Sequence, residues 1–151
     1  MGAYSGRSAA RLAALQALYQ LEITGHDTSD VIEEFVEHRF GRDGDSGEAD
    51  VEDRAFFAEI VRGVLQHQVE IDRAIAQSLA SGWTLARIDS ILRACLRAAS
   101  FELIARPEIP AKVVIDEYVE LARDFFSGDE PGFVNAVLDR MARLKRAGEL
   151  A

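Results

Sequence analysis

Residues 84–107, TLARIDSILRACLRAASFELIARP, decide the fold. Ile88, Ile91, Leu92, Cys95, Ala98, Ala99 and Leu103 recur every three or four positions, the period of an α-helix. The stripe is narrow and partly built from Cys and Ala, which suits a central helix in a bundle. Thr84 is placed to cap this helix, and Arg106-Pro107 ends it, because the residue before a proline is pushed out of the helical region.

The same period continues on both sides. Downstream, Pro110 suits the first turn of a helix carrying Val114, Tyr118, Leu121 and Phe125 inward, closed by Ser127-Gly128. Asp129 or Glu130 then caps a last helix with Pro131 in its first turn and Phe133, Val134, Val137, Leu138, Met141 and Leu144 on the core side. Upstream, one run from Phe56, Phe57, Ile60, Val61, Val64 and Leu65 through Ile71, Ile75 and Leu79 reads as a single long helix. Gly63 inside that run costs about 1 kcal/mol of helix propensity relative to Ala, which points to close packing. Ser8 caps a first helix with Leu12, Leu15, Leu18, Tyr19 and Ile23 on one broad face, stopped at Gly25. Thr28 or Ser29 caps a second, with Val31, Ile32, Phe35 and Val36 inward. Residues 41–50, GRDGDSGEAD, have no period and read as an acidic surface loop. No run alternates β-branched residues and no solenoid repeat occurs, so the expected architecture is all-α, a single-domain bundle of six or seven helices over residues 1–151.

The 151 residues, 48% hydrophobic and 28% charged, have the composition of an ordinary globular domain. No stretch approaches the roughly 18 uninterrupted apolar residues of a membrane span. Residues 1–11 lack the apolar core of a secretory signal, and the lone Cys95 forms no internal disulfide, so the expected location is the cytoplasm. The net charge of −9 is unevenly placed. Between His26 and Asp53 there are eleven acids against Arg39 and Arg42, a local −9, and the remainder sums to zero. A local basic surface is therefore compatible with an acidic chain, with the acidic segment expected to lie away from it.

Signs of catalysis are absent. His26, His38 and His67 lack the spacing of a metal site, and Cys95 sits on an apolar stripe without an adjacent base. Neither a GxGxxG, a Walker loop nor a GxSxG occurs. Asp116 and Glu117 are adjacent on a helix and point about 100° apart, so they share no site. The expectation is a protein that is not an enzyme, with no cofactor and no metal.

The first helix, GRSAARLAALQALYQLEITG, carries Arg7 and Arg11 four residues apart, with Gln16 and Tyr19 extending the line. A basic face beside an aromatic suits single-stranded RNA, phosphates on Arg and a base on Tyr. Solvated arginines and a core Tyr19 would give the same pattern. Phe133 opens the last helix after a Gly-containing turn, where it is either partly exposed or core. Arg140, Arg143, Lys145 and Arg146 complement a helix C-terminus as readily as they would bind phosphate.

The blocks ALQALYQLEITG, FFAEIVRGV, ILRACLRAASFELI, IPAKVVIDEYVELARDF and GFVNAVLDRMARL, in this order and spacing, resemble the NusB family over nearly the whole chain apart from residues 41–50. The resemblance implies a two-part helical bundle acting as an adaptor in transcription antitermination. It implies binding of the boxA RNA of ribosomal RNA transcripts together with NusE, a ribosomal small-subunit protein, and delivery to RNA polymerase. It also implies RNA contacts at Arg7, Arg11, Tyr19 and Phe133, with Arg97 and Lys112 at basic positions near the same face. The chain departs from the family pattern in three places. Ser8, Ala9 and Ala10 separate Arg7 from Arg11 where relatives are richer in arginine, Gly132 stands where Lys is common, and Ala136 where Gly is common. Fewer cations imply weak RNA binding by the chain alone and dependence on the partner. Two other readings stay open. One is a protein-only helical adaptor, such as a homodimer burying the first-helix face. The other is a module like that of ribosomal RNA cytosine methyltransferases, whose catalytic domain needs a glycine-rich cofactor loop and a nucleophilic cysteine motif that residues 1–151 do not contain.

Overall fold

The computed structural model describes residues 6–40 and 48–150. These form seven α-helices: α1 (Gly6–Thr24), α2 (Thr28–Arg39), α3 (Glu48–Gln66), α4 (Gln68–Ser78), α5 (Ser90–Ala105), α6 (Ala111–Phe125) and α7 (Glu130–Lys145). One 3₁₀ turn, Leu85–Arg87, lies between α4 and α5, and the described residues contain no strand. The fold is all-α, as the period of the sequence requires.

Helix α5 is the centre. It packs against α1, α3, α4, α6 and α7, and Leu92, Cys95, Leu96, Ala98, Ala99 and Leu103 are all buried on it. Small side chains allow this crowding, and α1 answers with buried Ala10, Ala13, Ala14 and Ala17. Helices α1 and α5 run antiparallel, since Arg11 meets Glu102 while Glu22 meets Arg97. Helices α2 and α3 pack on α1 to one side, and α4, α6 and α7 gather on the other. Their buried apolar residues join in one cluster.

Gly63 explains itself at the α3–α5 crossing. A Cβ placed there would lie 2.6 Å from both Cδ1 and Cζ of Phe101, so the helix can approach that ring only without a side chain. Gly63→Ala should therefore destabilise the fold by about 1–3 kcal/mol despite the better helix propensity of Ala. Thermal melts check this, and Phe101→Leu in the same chain should return most of the loss; a stabilised Gly63→Ala would contradict the packing.

Several local expectations are corrected. The long upstream helix is two, divided at His67, whose φ of −116° and ψ of 25° leave the helical region. Hydrogen bonds from His67 N to Gly63 O and from Ile71 N to His67 O bridge the break, so the apolar spacing runs through it unchanged. Asp27, rather than Thr28 or Ser29, caps α2 by accepting from Asp30 N, and Asp89, rather than Thr84, caps α5 by accepting from Ile91 N and Leu92 N. Ser8 lies inside α1, and Asp129 precedes α7 without a side-chain cap bond. Ile23, Leu65, Phe125 and Leu144, expected inward, are exposed. Residues 41–47 of the acidic loop lie outside the described residues, and 48–50 open α3.

The basic end of α7 serves the fold. Arg146 is buried and donates to the carbonyls of Glu102, Leu103, Arg106 and Ile109, tying the end of α7 to the end of α5 and the turn after it. Arg140 donates to Ser78 O at the end of α4, and Arg143 pairs with Asp139.

Candidate nucleic-acid interface

Arg7 and Arg11 have different fates, although they are one turn apart. Arg11 is 4% exposed and its guanidinium grips Glu102 with two bonds of 2.9 Å, Nε to Oε2 and Nη2 to Oε1. Glu102 is fully buried on α5 and also accepts from the Tyr118 hydroxyl at 2.5 Å. Glu117 closes the group, taking bonds from Arg11 Nη1 at 3.3 Å and Ser8 Oγ at 2.6 Å. Burial disfavours the charge of Arg11, but the Glu102 hydrogen bond and the surrounding negative charge outweigh it and raise its pKa above the ordinary value. Burial and then the Glu102 charge push the Tyr118 hydroxyl well above its usual range. Arg11 is thus an interior tie between α1, α5 and α6, and the expectation of an open cation at this position is corrected. The reason is Glu102, which falls on the same stripe of α5 as Cys95 and Ala98 and brings a carboxylate into the core.

Arg7 is half-exposed and lies 5.1 Å from the centre of the Phe56 ring, a ring that Arg11 and Arg106 also approach at 5.3 Å. It pairs loosely with Glu52 at 3.7 Å and Asp53 at 3.6 Å. Both acids belong to the acidic segment. The expectation that this whole segment lies away from the candidate RNA-binding residues does not hold for Arg7, which meets its C-terminal end.

The other expected cations are also paired. Arg97 on α5 makes two bonds to Asp72 at 2.9 and 3.1 Å and a third to Glu22 at 3.4 Å, while Arg93 holds the other oxygen of Glu22. Lys112, the second residue of α6, is 79% exposed and sits 3.3 Å from Asp116. The aromatic candidates are more open. Tyr19 is 37% exposed and lies on the outward line of α1 with half-buried Leu12 and Gln16 and exposed Ile23. Phe133 is half-buried, its ring 5.4 Å from that of Trp83 at 49°.

These residues do not form one cluster. Arg7 and Lys112 lie at the end of the bundle where α1 and α6 begin, α5 ends and Arg146 closes α7. Phe133 lies thirteen residues before Arg146 on α7, about 20 Å away at 1.5 Å per residue. Tyr19 and Arg97 fall between. These positions are spread along the length of the bundle.

Cys95 is buried and its thiol is pushed up to about 12 by burial, so it is a protonated core residue at neutral pH. His26, His38 and His67 are exposed and lie on separate elements. No group of three His, Cys, Asp or Glu among the described residues could hold a metal ion, and no described helix is long and apolar enough to cross a membrane.

Comparison with known proteins completes the picture. The model of the NusB family matches residues 8–143. The transcription antitermination protein NusB of Caulobacter vibrioides is 53% identical over 137 residues, covering 91% of this chain and 92% of the relative. That of Maricaulis maris is 51% identical over 143 residues, covering 95% and 89%. Among solved structures, T. maritima NusB superposes with a TM-score of 0.76 at 31% identity, covering 92% of each chain. A chain from a complex of the antitermination factors NusB and NusE with double-stranded RNA shares the fold, with a TM-score of 0.77 at 23% identity over 91% of this chain and 96% of that one. Matched by the family model over most of its length and by relatives half-identical to it, the chain belongs to the NusB family.

Proposed function

We propose that this protein is a transcription antitermination adaptor of the cytoplasm. It binds the boxA RNA of ribosomal RNA transcripts jointly with NusE, links that RNA to RNA polymerase, and catalyses no reaction. The observation that carries the reading is the 53% identity to a transcription antitermination protein NusB over nearly the full length of both chains. Residues 1–151 act as one domain, a reading supported by the single apolar cluster that joins the helices.

The candidate residues supply the RNA contacts unequally. Tyr19 and Phe133 offer ring faces to bases, with Gln16 beside Tyr19 for polar contact. Arg7 reaches phosphate only by exchanging Glu52 and Asp53 for it, and Lys112 and Arg97 likewise begin from carboxylate partners. The cations therefore add little net affinity, which makes the partner necessary and puts weight on stacking.

Tyr19→Ala and Phe133→Ala should each weaken boxA binding by about 1–3 kcal/mol. Each should destabilise the fold by less than the ~3–5 kcal/mol lost when a core aromatic is truncated. RNA titrations beside circular dichroism melts decide it. If both variants melt early while the folded fraction binds RNA normally, these rings are core and the site is wrong.

A further inference from the structure

We infer that Trp83 and Arg87, on the connection between α4 and α5, form an RNA-binding subsite continuous with Phe133. The inference rests on the RNA-binding reading above and extends it to residues that neither the sequence pattern nor the family resemblance singled out.

Trp83 is a large aromatic left 47% exposed, and its ring lies 5.4 Å from that of Phe133. The Arg87 guanidinium carbon stands 5.7 Å from the same indole. Arg7, Arg11, Arg97 and Lys112 each face a carboxylate. Arg87 is exposed and has no carboxylate partner among the described residues; its guanidinium donates to the carbonyl of Gly82 at 2.8 Å. A guanidinium without a carboxylate partner, set against an exposed indole that adjoins a second ring, is the combination that holds single-stranded RNA, with a base on the aromatic face and a phosphate on the cation.

The connection is also held in shape before any ligand arrives. Gly82 has a φ of +92°, which allows the tight turn closed by Trp83 N donating to Ala80 O. Arg87 braces that turn through the Gly82 carbonyl, and Arg93 donates to the carbonyls of Leu85 and Ile88. A preformed platform loses little conformational freedom on binding, which favours contact there over a contact made by a long free side chain. The platform stands beside Phe133, at the end of the bundle opposite Arg7 and Lys112.

Trp83 is the only tryptophan of the chain, so its emission reports on this subsite alone. A single-stranded boxA oligonucleotide should quench it when bound to the chain with a NusE that carries no tryptophan. Trp83→Leu keeps apolar cover over Phe133 but removes the stacking face, and should weaken RNA binding about 5- to 150-fold. Trp83→Phe should stay within about threefold of the parent, since a stacking face remains. Arg87→Gln should lower the salt slope of binding by about 0.7. Affinity for NusE without RNA, and the melting temperature of Trp83→Phe, should not change. If Trp83→Leu and Arg87→Gln bind RNA normally while Phe133→Ala does not, the subsite is wrong and the adaptor reading stands. If Trp83→Leu instead lowers affinity for NusE without RNA, the surface docks protein and the inference fails. If the parent chain with NusE binds no boxA RNA, both fall together.

Discussion

Glu102→Ala should destabilise the bundle by about 3–5 kcal/mol, the cost of leaving a buried charge without its partner. The side chain is fully buried and accepts from Arg11 twice and from Tyr118 once, so truncation strands a guanidinium and a phenol where water does not reach. The loss is a property of breaking the group, not a measure of its worth. Arg11→Met with Glu102→Leu should therefore cost clearly less than either single truncation, because no unpaired charge remains in the interior and Glu117 is partly open to solvent. Denaturant melts of the three variants test this. A Glu102→Ala protein as stable as the parent would show that the tie between α1, α5 and α6 does not form.

Arg11→Ala should lose a similar ~3–5 kcal/mol of stability, and its effect on RNA should be unlike that of Arg7→Ala. Arg11 is enclosed by Glu102 and Glu117, so the folded variant should keep the salt slope of boxA binding unchanged. Arg7 is half-exposed, and its two loose pairs are worth at most about 1 kcal/mol to the fold, so Arg7→Ala should melt near the parent. Its loss should reduce the salt slope by about 0.7 if it touches a phosphate. Comparing the two slopes separates an interior arginine from a surface one. A lowered slope in Arg11→Ala would mean that this guanidinium leaves the interior when RNA binds.

The helices were legible because burial imposes the 3.6-residue period directly on the residues. The central stripe of α5, the close approach at Gly63 and the stop at Gly25, with φ of +72°, all follow from local chemistry. What the period cannot carry is a kink that preserves hydrogen-bond register, and His67 is such a kink. Caps are ambiguous in the sequence, because nearby Asp, Ser and Thr offer the same kind of oxygen and only backbone geometry selects Asp27 and Asp89. The candidate site was less legible for a stronger reason. Whether an arginine is free depends on carboxylates distant in sequence: Glu102 lies 91 residues from Arg11 and takes it into the core. Arg146 and Arg140 were likewise drawn to carbonyls at the ends of other helices. Trp83 carries no signal in the sequence because a lone aromatic between helices has no period to mark it, and only its contact with Phe133 gives it meaning.

The pairing of nearly every expected RNA-facing cation leads to one central expectation, that the chain grips RNA as half of a pair. Binding of a boxA oligonucleotide at one fixed salt concentration, to this chain alone, to NusE alone and to their mixture, tests it most directly. The mixture should bind much more tightly than either protein by itself. Equal affinity for the chain alone and for the mixture, or none for the mixture, would contradict the account.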